Sequence, residues 1–329
     1  MAATRRPPAV ARVLERVTGT VRRHDLIPPG SKVLLAVSGG GDSMCLLHAM
    51  YALRRLLRIR LAVVHVDHAQ RPESEADARY VRRAAEKLGL ACTVYRVGER
   101  IARGASPEAW LREQRYRLFE HAADDTGSDL VATAHTANDQ AETVLTAALR
   151  GGGLEAVAGI PPARDRFVRP MLDVTREETH AACRALRIRP RPDPMNQDRR
   201  YLRAALRHDV IPALERATGR GVVEALARTG EGLRGDAELL RLLAEDAAAE
   251  VATENGTAWR LHAVRLRELP VPVGSRVVLH VLRALGAREA TRAHVESVLD
   301  LATGRPGRRV DLPGGLVAVR ERSSVRLSR

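Results

Sequence analysis

Cysteine is scarce in this chain of 329 residues. The three cysteines, Cys45, Cys92 and Cys183, are isolated from one another in the sequence, so they form neither a CxxC metal-binding pair nor a disulfide framework. This usage is typical of a reducing compartment, and we expect a cytoplasmic protein. Cys45 falls in an apolar helical stretch, where a free cysteine is typically buried in the core.

Long apolar runs are also missing. No stretch approaches the ~18 apolar residues of a membrane span. The first residues, MAATRRPPAV, combine basic side chains with proline and lack the apolar core of a signal peptide. The sequence therefore predicts a protein that neither enters a membrane nor is exported.

Lysine and aromatic residues are rare as well. Lys32 and Lys87 are the only lysines, and aromatic residues make up 3% of the chain, which does not suggest extensive base stacking. Arginine nevertheless brings the net charge to +14. Such a charge holds polyanions close, so nucleic acid is the predicted partner. An arginine-rich proteome is the alternative explanation.

Strand and helix patterns alternate in the first part of the chain. Four aliphatic segments are typical of buried parallel strands, and each is followed by a helical pattern. These segments are KVLLAV (32–37), LAVVHV (61–66), ACTVYRV (91–97) and DLVATA (129–134). The alternation predicts an α/β fold, a doubly wound parallel sheet with helices on both faces. Thr175 and Glu178 form a predicted capping box for a later helix.

The pattern changes near residue 217. A long helical stretch, a strand at 257–266, short helices and a terminal pair of strands replace the βα units. We therefore predict one domain over 1–216 and a smaller α+β domain over 217–329, which is a candidate for binding the nucleic acid. Before the boundary, 189–198 is a predicted proline-rich loop, and a basic helix over 199–208 follows it.

A glycine-rich hexapeptide follows the first predicted strand and precedes a helix. It consists of Ser38, Gly39, Gly40, Gly41, Asp42 and Ser43. Glycine amides, serine hydroxyls and a helix N-terminus together bind phosphate, and ligands bind at the carboxyl ends of strands in such sheets. Because the Asp42 carboxylate would repel a bare phosphate, we expect Mg²⁺ between them. The Walker lysine and the third glycine of the dinucleotide fingerprint are missing, and a glycine turn without ligand is the alternative.

Polar side chains also recur beyond the fourth predicted strand. His135, Asn138, Asp139 and Glu142 have helical spacing and share one helix face. That face overlooks the carboxyl edge of the sheet, so we predict a functional role. A solvated helix start is the alternative.

Two further groups precede that cluster. Arg112, Arg115 and Tyr116 share a helix face, where guanidinium groups suit phosphate or are simply solvated. His65, Asp67 and His68 end the second predicted strand, where the ribose or base of a nucleotide would lie. The sequence gives too little support for a zinc site there.

The hexapeptide resembles the signature of the PP-loop family of N-type ATP pyrophosphatases. These enzymes have an adenine nucleotide alpha hydrolase-like fold and split ATP between its α and β phosphates, with the loop holding the leaving pyrophosphate. Blocks over about residues 30–215 further resemble bacterial tRNA(Ile)-lysidine synthases. The blocks are HVDHAQRPESEADARYVRRAAEKLG, SPEAWLREQRYRLF, AHTANDQAETVLTAALRGGGLEAVAGI, RPMLDVTREE and RPRPDPMNQDRRYLRAALRHDVIPALE. The C-terminal third is only loosely similar.

This resemblance implies a ligase that works in two steps. The C2 oxygen of the wobble cytidine in a CAU anticodon attacks the α phosphate of ATP, and the ε-amine of free L-lysine then displaces AMP to leave lysidine. The implied cofactors are ATP and Mg²⁺, and the implied partners are tRNA(Ile) with a CAU anticodon and free lysine. A homodimer is compatible with the resemblance.

The resemblance also implies roles for individual residues. The loop would hold pyrophosphate through Ser38, Gly39, Gly40 and Ser43, while Asp42 would ligate Mg²⁺ and help to deprotonate lysine. Arg112 and Arg115 would face phosphate or the adenylated base, and His135, Asp139 and Glu142 would orient nucleotide and lysine. Many members carry an acid where Asn138 stands, so we assign Asn138 no role that depends on charge.

Two other functions fit parts of the pattern. Another PP-loop enzyme, such as a tRNA thiolase or an amide-forming synthetase, shares the loop. Thiolases of this kind generally rely on paired cysteines, and glutamine-using synthetases need an amidotransferase region with a nucleophilic cysteine. A catalytically silent RNA-binding protein that keeps the fold is the other alternative.

Overall fold

The chain divides into two compact units, Met1–Leu233 and Arg234–Arg329, in a computed structural model. The structure describes residues 6–67, 74–98, 107–191, 202–287 and 289–329. The division lies inside one long helix, whereas the sequence predicts a boundary at 216/217. An uninterrupted helical pattern carries no local signal for such a division, because the same backbone hydrogen bonds continue across it.

Six strands form the sheet of the first unit, in the order β3-β2-β1-β4-β6-β5. Their bounds are β1 Lys32–Ala36, β2 Arg60–Asp67, β3 Cys92–Arg96, β4 Leu130–Ala132, β5 Ala163–Arg164 and β6 Phe167–Val168. All neighbours pair in parallel except β5, which is antiparallel to β6. The predicted doubly wound sheet is confirmed, and its first four strands coincide with the aliphatic segments.

Helices connect these strands. In chain order they are α1 Pro8–Arg23, α2 Gly41–Leu53, α3 Ser74–Lys87, α4 Pro107–Thr126, α5 Ala137–Leu149, α6 Leu154–Val157, α7 Arg176–Ala185, α8 Leu202–Ala205 and α9 Ile211–Thr218. A π-helical turn, Leu206–Val210, joins α8 to α9. The predicted capping box of α7 is confirmed, because Thr175 and Glu178 exchange side-chain and backbone hydrogen bonds.

Both faces of the sheet are buried. Val33 and Leu35 of β1 pack on the side that holds α1, α2 and α7, and Leu34 packs with Phe119 of α4 on the other side. Burial on both faces explains why these strands are continuous aliphatic runs instead of alternating ones. Helix α1 was not predicted from the sequence, although Val17 in its centre is fully buried against this core.

The second unit contains an antiparallel sheet in the order β7-β8-β11-β10-β9, together with helices. The elements that lead into and form it are α10 Val222–Val251, β7 Ala252–Asn255, β8 Ala258–His262, α11 Ala263–Glu268, α12 Val271–Ala284, α13 Arg292–Thr303, β9 Arg309–Leu312, β10 Leu316–Arg320 and β11 Ser324–Ser328. The predicted α+β character is confirmed.

One strand of this unit is shorter than the sequence predicts. The strand expected over 257–266 ends at His262, whose imidazole accepts a hydrogen bond from the amide of Arg265 and so caps α11. Among the residues that the structure describes, no helix combines the length and the apolar character needed to cross a membrane.

Candidate active site

The glycine-rich loop lies where β1 ends and α2 begins, and two of its glycines are structurally required. Gly39 has φ +95°, a backbone conformation that side-chain-bearing residues rarely adopt. At Gly41, a Cβ atom would stand 2.8 Å from Cδ2 of His180 on α7. The loop can therefore keep this path only with glycine at both positions.

The backbone amides of the loop converge on one hydroxyl group. Ser43 Oγ accepts hydrogen bonds from the amides of Ser38, at 3.1 Å, and Gly39, at 3.2 Å, and it donates to the carbonyl of Gly40 at 3.0 Å. Ser38 Oγ lies 3.1 Å from the same atom. Donors that point to one place at a helix N-terminus form a site for an anionic oxygen.

One face of α7 packs against this loop. The residues of that face occur at positions i, i+3, i+4 and i+7, and they are Arg176, Thr179, His180 and Cys183. His180 packs against Gly41, and Cys183 Sγ lies 3.5 Å from the carbonyl oxygen of Gly41. Thr179 and Arg176 contact Asp42. Helix α7 therefore fixes the first turn of α2.

Both carboxylate oxygens of Asp42 have a donor on α7. Thr179 Oγ1 lies 2.5 Å from Asp42 Oδ1, and Arg176 Nε lies 3.3 Å from Oδ2. The Thr179 hydroxyl is also 2.8 Å from the carbonyl of Arg176, but it has one hydrogen to donate. Because a carboxylate is a stronger acceptor than a carbonyl, the Thr179 hydroxyl donates its hydrogen to Asp42. This hydrogen bond orients the Asp42 side chain.

The guanidinium of Arg176 binds three carboxylates at once. Besides Asp42, its Nη2 lies 3.2 Å from Asp139 and its Nη1 lies 3.4 Å from Glu142. Burial alone would lower the pKa of Arg176, but the three carboxylates together raise it, so the group stays charged. The Arg176 amide also donates to Asn138 Oδ1 at 2.8 Å. Asn138 thus has a structural role that needs no charge.

A second arginine completes this acidic cluster. Arg207 lies in the π-helical turn and binds Glu142 through two hydrogen bonds, of 2.7 and 2.9 Å, while its Nη2 is 3.6 Å from Asp139. Glu142 is almost fully buried. A bidentate pair of this kind fixes the relative orientation of the two side chains as well as pairing their charges. π-Helical turns often occur at functional sites.

Asp139 is held in its ionised form. Burial would raise its pKa, but Arg176, His135 and hydrogen bonds from the amide and hydroxyl of Thr136 lower the pKa by more. Asp139 therefore caps α5 and contributes negative charge to the cluster.

His135 is kept neutral beside it. Burial lowers the pKa of His135 to about 4, Asp139 opposes this shift, and the charges of Arg169, Arg112 and Arg115 add to it. The Nδ1 atom lies 2.9 Å from the hydroxyl of Thr133. At neutral pH this side chain is an uncharged hydrogen-bonding group.

The two arginines predicted on α4 are exposed. The guanidinium carbon of Arg112 lies 5.2 Å from the centre of the Tyr116 ring. Both arginines act electrostatically on His135, which places them near the carboxyl edge of the sheet.

Of the residues predicted beyond β2, His65 and Asp67 are buried, and His68 lies outside the described residues. His65 Nδ1 is 2.8 Å from the carbonyl of Val37, next to the glycine-rich loop. Asp67 binds Arg96 Nε at 3.2 Å. A role for these residues toward a nucleotide stays a prediction.

The structure therefore joins the predicted Asp42, Asp139 and Glu142 in one cluster. Sequence reasoning missed Arg176, Thr179 and Arg207. Arg176 and Arg207 fall in the blocks that carry the resemblance, and Thr179 directly follows one of these blocks. Within the described part of the chain, no group of three or more His, Cys, Asp or Glu residues forms a metal site. A magnesium ion at Asp42 would thus need phosphate oxygens and water as its other ligands.

Cys45 and Cys183 are neighbours in space, although the sequence separates them widely. The thiol of Cys183 raises the pKa of Cys45, and both cysteines are free and buried. The expected burial of Cys45 is confirmed, whereas the spacing of the cysteines in the sequence gives no sign that Cys183 lies beside it. The cause is the packing of α7 on α2, which distance along the chain cannot reveal.

Comparisons with known proteins identify the family of this chain. The PP-loop domain family matches residues 11–214, and the TilS substrate binding domain matches residues 261–326. The tRNA(Ile)-lysidine synthase of Thermobifida fusca is 38% identical over 94% of this chain and 94% of its own. The chain belongs to the tRNA(Ile)-lysidine synthase family. The expectations of a PP-loop enzyme that uses ATP and of a ligase that forms a carbon–nitrogen bond are thereby confirmed.

Other members of the family differ in length. The Salinispora tropica enzyme is 40% identical over 91% of both chains, and the Symbiobacterium thermophilum enzyme is 37% identical over 92% of this chain and 66% of its own. A U34-tRNA thiolase from Methanococcus maripaludis has a similar fold, with a TM-score of 0.58 at 17% identity, over 68% of this chain and 79% of that one. The thiolase and RNA-binding alternatives are not favoured, because the curated relatives are lysidine synthases.

The state of His135 can be tested by NMR of labelled histidine side chains, with His135→Gln to identify the signal. We expect His135 to remain neutral at pH 5, where an ordinary histidine, with a pKa of about 6.5, is mostly protonated. A His135 signal that titrates above pH 6 would contradict this assignment.

The same shift affects stability. The unfolded chain binds this proton near pH 6.5 and the folded chain only near pH 4. The contribution of neutral His135 to the free energy of unfolding is therefore fully present above pH 6.5 and is lost as the pH falls from 6.5 towards 4. The free energy of unfolding, measured as a function of pH, should decrease over this range.

Proposed function

We propose that this enzyme joins the ε-amine of free L-lysine to C2 of the wobble cytidine of tRNA(Ile) with a CAU anticodon. The reaction consumes ATP with Mg²⁺, proceeds through an adenylated tRNA, releases AMP and pyrophosphate, and takes place in the cytoplasm. The observation that carries the proposal is the acidic cluster of Asp42, Asp139 and Glu142 directly beside the phosphate-binding loop.

The charge of this cluster favours a cationic ligand. Among the residues that the structure describes, three carboxylates face two guanidinium groups, those of Arg176 and Arg207, which leaves one negative charge uncompensated there. A substrate ammonium group suits such a place, because carboxylates bind it through charge-assisted hydrogen bonds. Asp139 and Glu142, both on α5, would orient the ε-ammonium group of lysine, and neutral His135 would be an uncharged hydrogen-bonding partner next to them.

The glycine-rich loop supplies the phosphate site. The amides of Ser38 and Gly39, together with Ser43 and the N-terminus of α2, would bind the pyrophosphate part of ATP. Asp42 fits a magnesium ligand, because it is a partly exposed carboxylate at this loop, oriented by Thr179. When bound, the ion would neutralise charge on the leaving phosphates.

The remaining roles follow from position and charge. Arg112 and Arg115 are exposed at the edge of the site, where they would face phosphate or the adenylated base. His65 and Asp67 lie at the end of β2, beside the loop, where they would contact the nucleotide. The net charge of +14 supports binding of tRNA.

Transfer of labelled lysine tests this function directly. The enzyme is incubated with ATP, labelled L-lysine and unmodified CAU tRNA(Ile), and the RNA is then assayed for label. We expect label in the RNA, none without ATP, and none when the wobble cytidine is replaced. Asp42→Asn should abolish transfer and leave tRNA binding intact in a gel-shift assay. Wild-type enzyme that binds the tRNA and never labels it would refute the proposal.

The bond between Thr179 and Asp42 gives a second prediction. Thr179→Val keeps the shape and removes the donor, so we expect roughly a 10-fold lower turnover, since a hydrogen bond to a charged group contributes ~1.5 kcal/mol. The Mg²⁺ concentration needed for half-maximal rate should rise, and Thr179→Ser should restore both values.

The matched control is Thr146→Val on α5. The Thr146 hydroxyl is buried and has no hydrogen-bond partner among the described residues, so its removal should leave turnover unchanged. Equal effects of the two valine substitutions, or no change in Mg²⁺ dependence for Thr179→Val, would show that Thr179 does not orient Asp42.

A further inference from the structure

Arg169 is a buried arginine that pairs with no carboxylate among the residues that the structure describes. Only 4% of the residue is exposed. Its Nη1 donates to the carbonyl of Pro161 at 2.8 Å, while its Nε is buried and has no hydrogen-bond partner among the residues described. A buried charge is costly unless it is paired. An unsatisfied buried donor of this kind indicates a missing ligand.

The position of Arg169 places it at the active-site edge of the sheet. It directly follows β6, where Val168 pairs with Ala132 of β4, and the amide of Thr133 donates to the carbonyl of Val168 at 3.0 Å. Thr133 in turn contacts His135. Arg169 thus lies beside the strand end that carries the acidic residues of α5, at the edge where such sheets bind ligands.

The groups around Arg169 are neutral or positive. Arg169 shares a sheet face with Phe167, whose ring centre lies 4.7 Å from that of Tyr116. The hydroxyl of Tyr116 is buried and also lacks a hydrogen-bond partner within the described part of the chain. Burial lowers the pKa of Arg169, Tyr116 beside it opposes this shift, and the charges of Arg112 and Arg164 add to it. These surroundings therefore favour the binding of an anion by Arg169.

We propose that Arg169 binds the α-carboxylate of the lysine substrate. The inference rests on the proposed function and adds the group that recognises the amino-acid end of lysine. Free lysine carries an ammonium group at the end of its side chain and a carboxylate at its other end. His135 is acted on by Asp139 of the acidic cluster and by Arg169 of this basic cluster. An extended lysine can therefore place its two ends in the two clusters.

Burial distinguishes this carboxylate from a phosphate of the tRNA. A backbone phosphate of a folded RNA stays at the surface of the enzyme, where the exposed Arg112 and Arg115 can bind it. Because Arg169 is buried, its guanidinium is better matched by a small anion than by a phosphate of a folded RNA. A carboxylate also matches the planar fork of a guanidinium.

The test compares L-lysine with L-lysinamide, in which a neutral amide replaces the carboxylate. For the wild-type enzyme we expect lysinamide to lower kcat/KM by roughly 10- to 100-fold, as for a lost hydrogen-bonded charge pair. Arg169→Met should use the two compounds about equally, because the carboxylate no longer has a partner. The adenylation step, followed as tRNA-dependent exchange of pyrophosphate into ATP, should be unchanged in this variant and reports that it is folded.

Arg164→Met is the matched control, because Arg164 is close in sequence but its side chain is 77% exposed. It should keep the wild-type preference for lysine. Arg169→Lys, which keeps the charge, should retain part of this preference and provides a second variant if Arg169→Met fails to fold.

Three results would overturn the inference. The first is an Arg169→Met enzyme that still prefers lysine over lysinamide. The second is an Arg169→Met enzyme that binds tRNA more weakly but prefers lysine over lysinamide as the wild type does. Arg169 would then bind a phosphate of the RNA. The third is a wild-type enzyme that uses both compounds equally. Failure of the proposed function is distinct from all three, since the wild type would then transfer neither compound.

Discussion

The guanidinium of Arg176 is the contact on which the site depends. It binds carboxylates from two helices, Asp42 on α2 and the pair Asp139 and Glu142 on α5, and it thereby ties the ends of β1 and β4 together. Without it, three negative charges would repel one another in a partly buried place. Removing one partner of such a cluster leaves uncompensated buried charge, which is strongly destabilising.

This contact also explains how the loop is held ready for its ligand. Arg176 is the first residue of α7, and the same helix face reaches Asp42 with Thr179 and the glycine loop with His180. The loop amides, the oriented carboxylate and the acidic cluster are thus set by one helix. Because these groups are already oriented, they need not rearrange when charge develops on the reacting atoms.

Charges of both signs act on His135. Asp139 and its neighbours form a negative cluster, and Arg169 with the arginines of α4 forms a positive one. Because the imidazole of His135 is neutral, it adds no further charge to a region that already contains several charged side chains. This arrangement suits a small substrate that has opposite charges at its two ends, which is the property of free lysine.

Local sequence patterns predicted the parts of the molecule that depend on local physics. The four parallel strands, the loop at 38–43 and the capping box at Thr175 follow from aliphatic runs, glycine and short-range hydrogen bonds. The joint placement of Asp42, Asp139 and Glu142 was also expected, because parallel strand ends meet at one edge.

Contacts between distant segments could not be predicted in this way. Arg176 reaches Asp42 across 134 positions and Arg207 reaches Glu142 across 65, and no spacing rule connects such residues. The proximity of Cys45 and Cys183 has the same origin. Arg169 falls in a block that carries the resemblance, but no local pattern gave it a role, because an arginine is normally solvated. Only its burial in the fold reveals the unpaired donor.

The products of ATP cleavage test the central claim most directly. The enzyme, ATP, Mg²⁺, L-lysine and unmodified CAU tRNA(Ile) are followed by phosphorus NMR. A loop that holds the β and γ phosphates as a leaving group predicts AMP and pyrophosphate, formed only when the tRNA is present. Formation of ADP and orthophosphate would contradict the account.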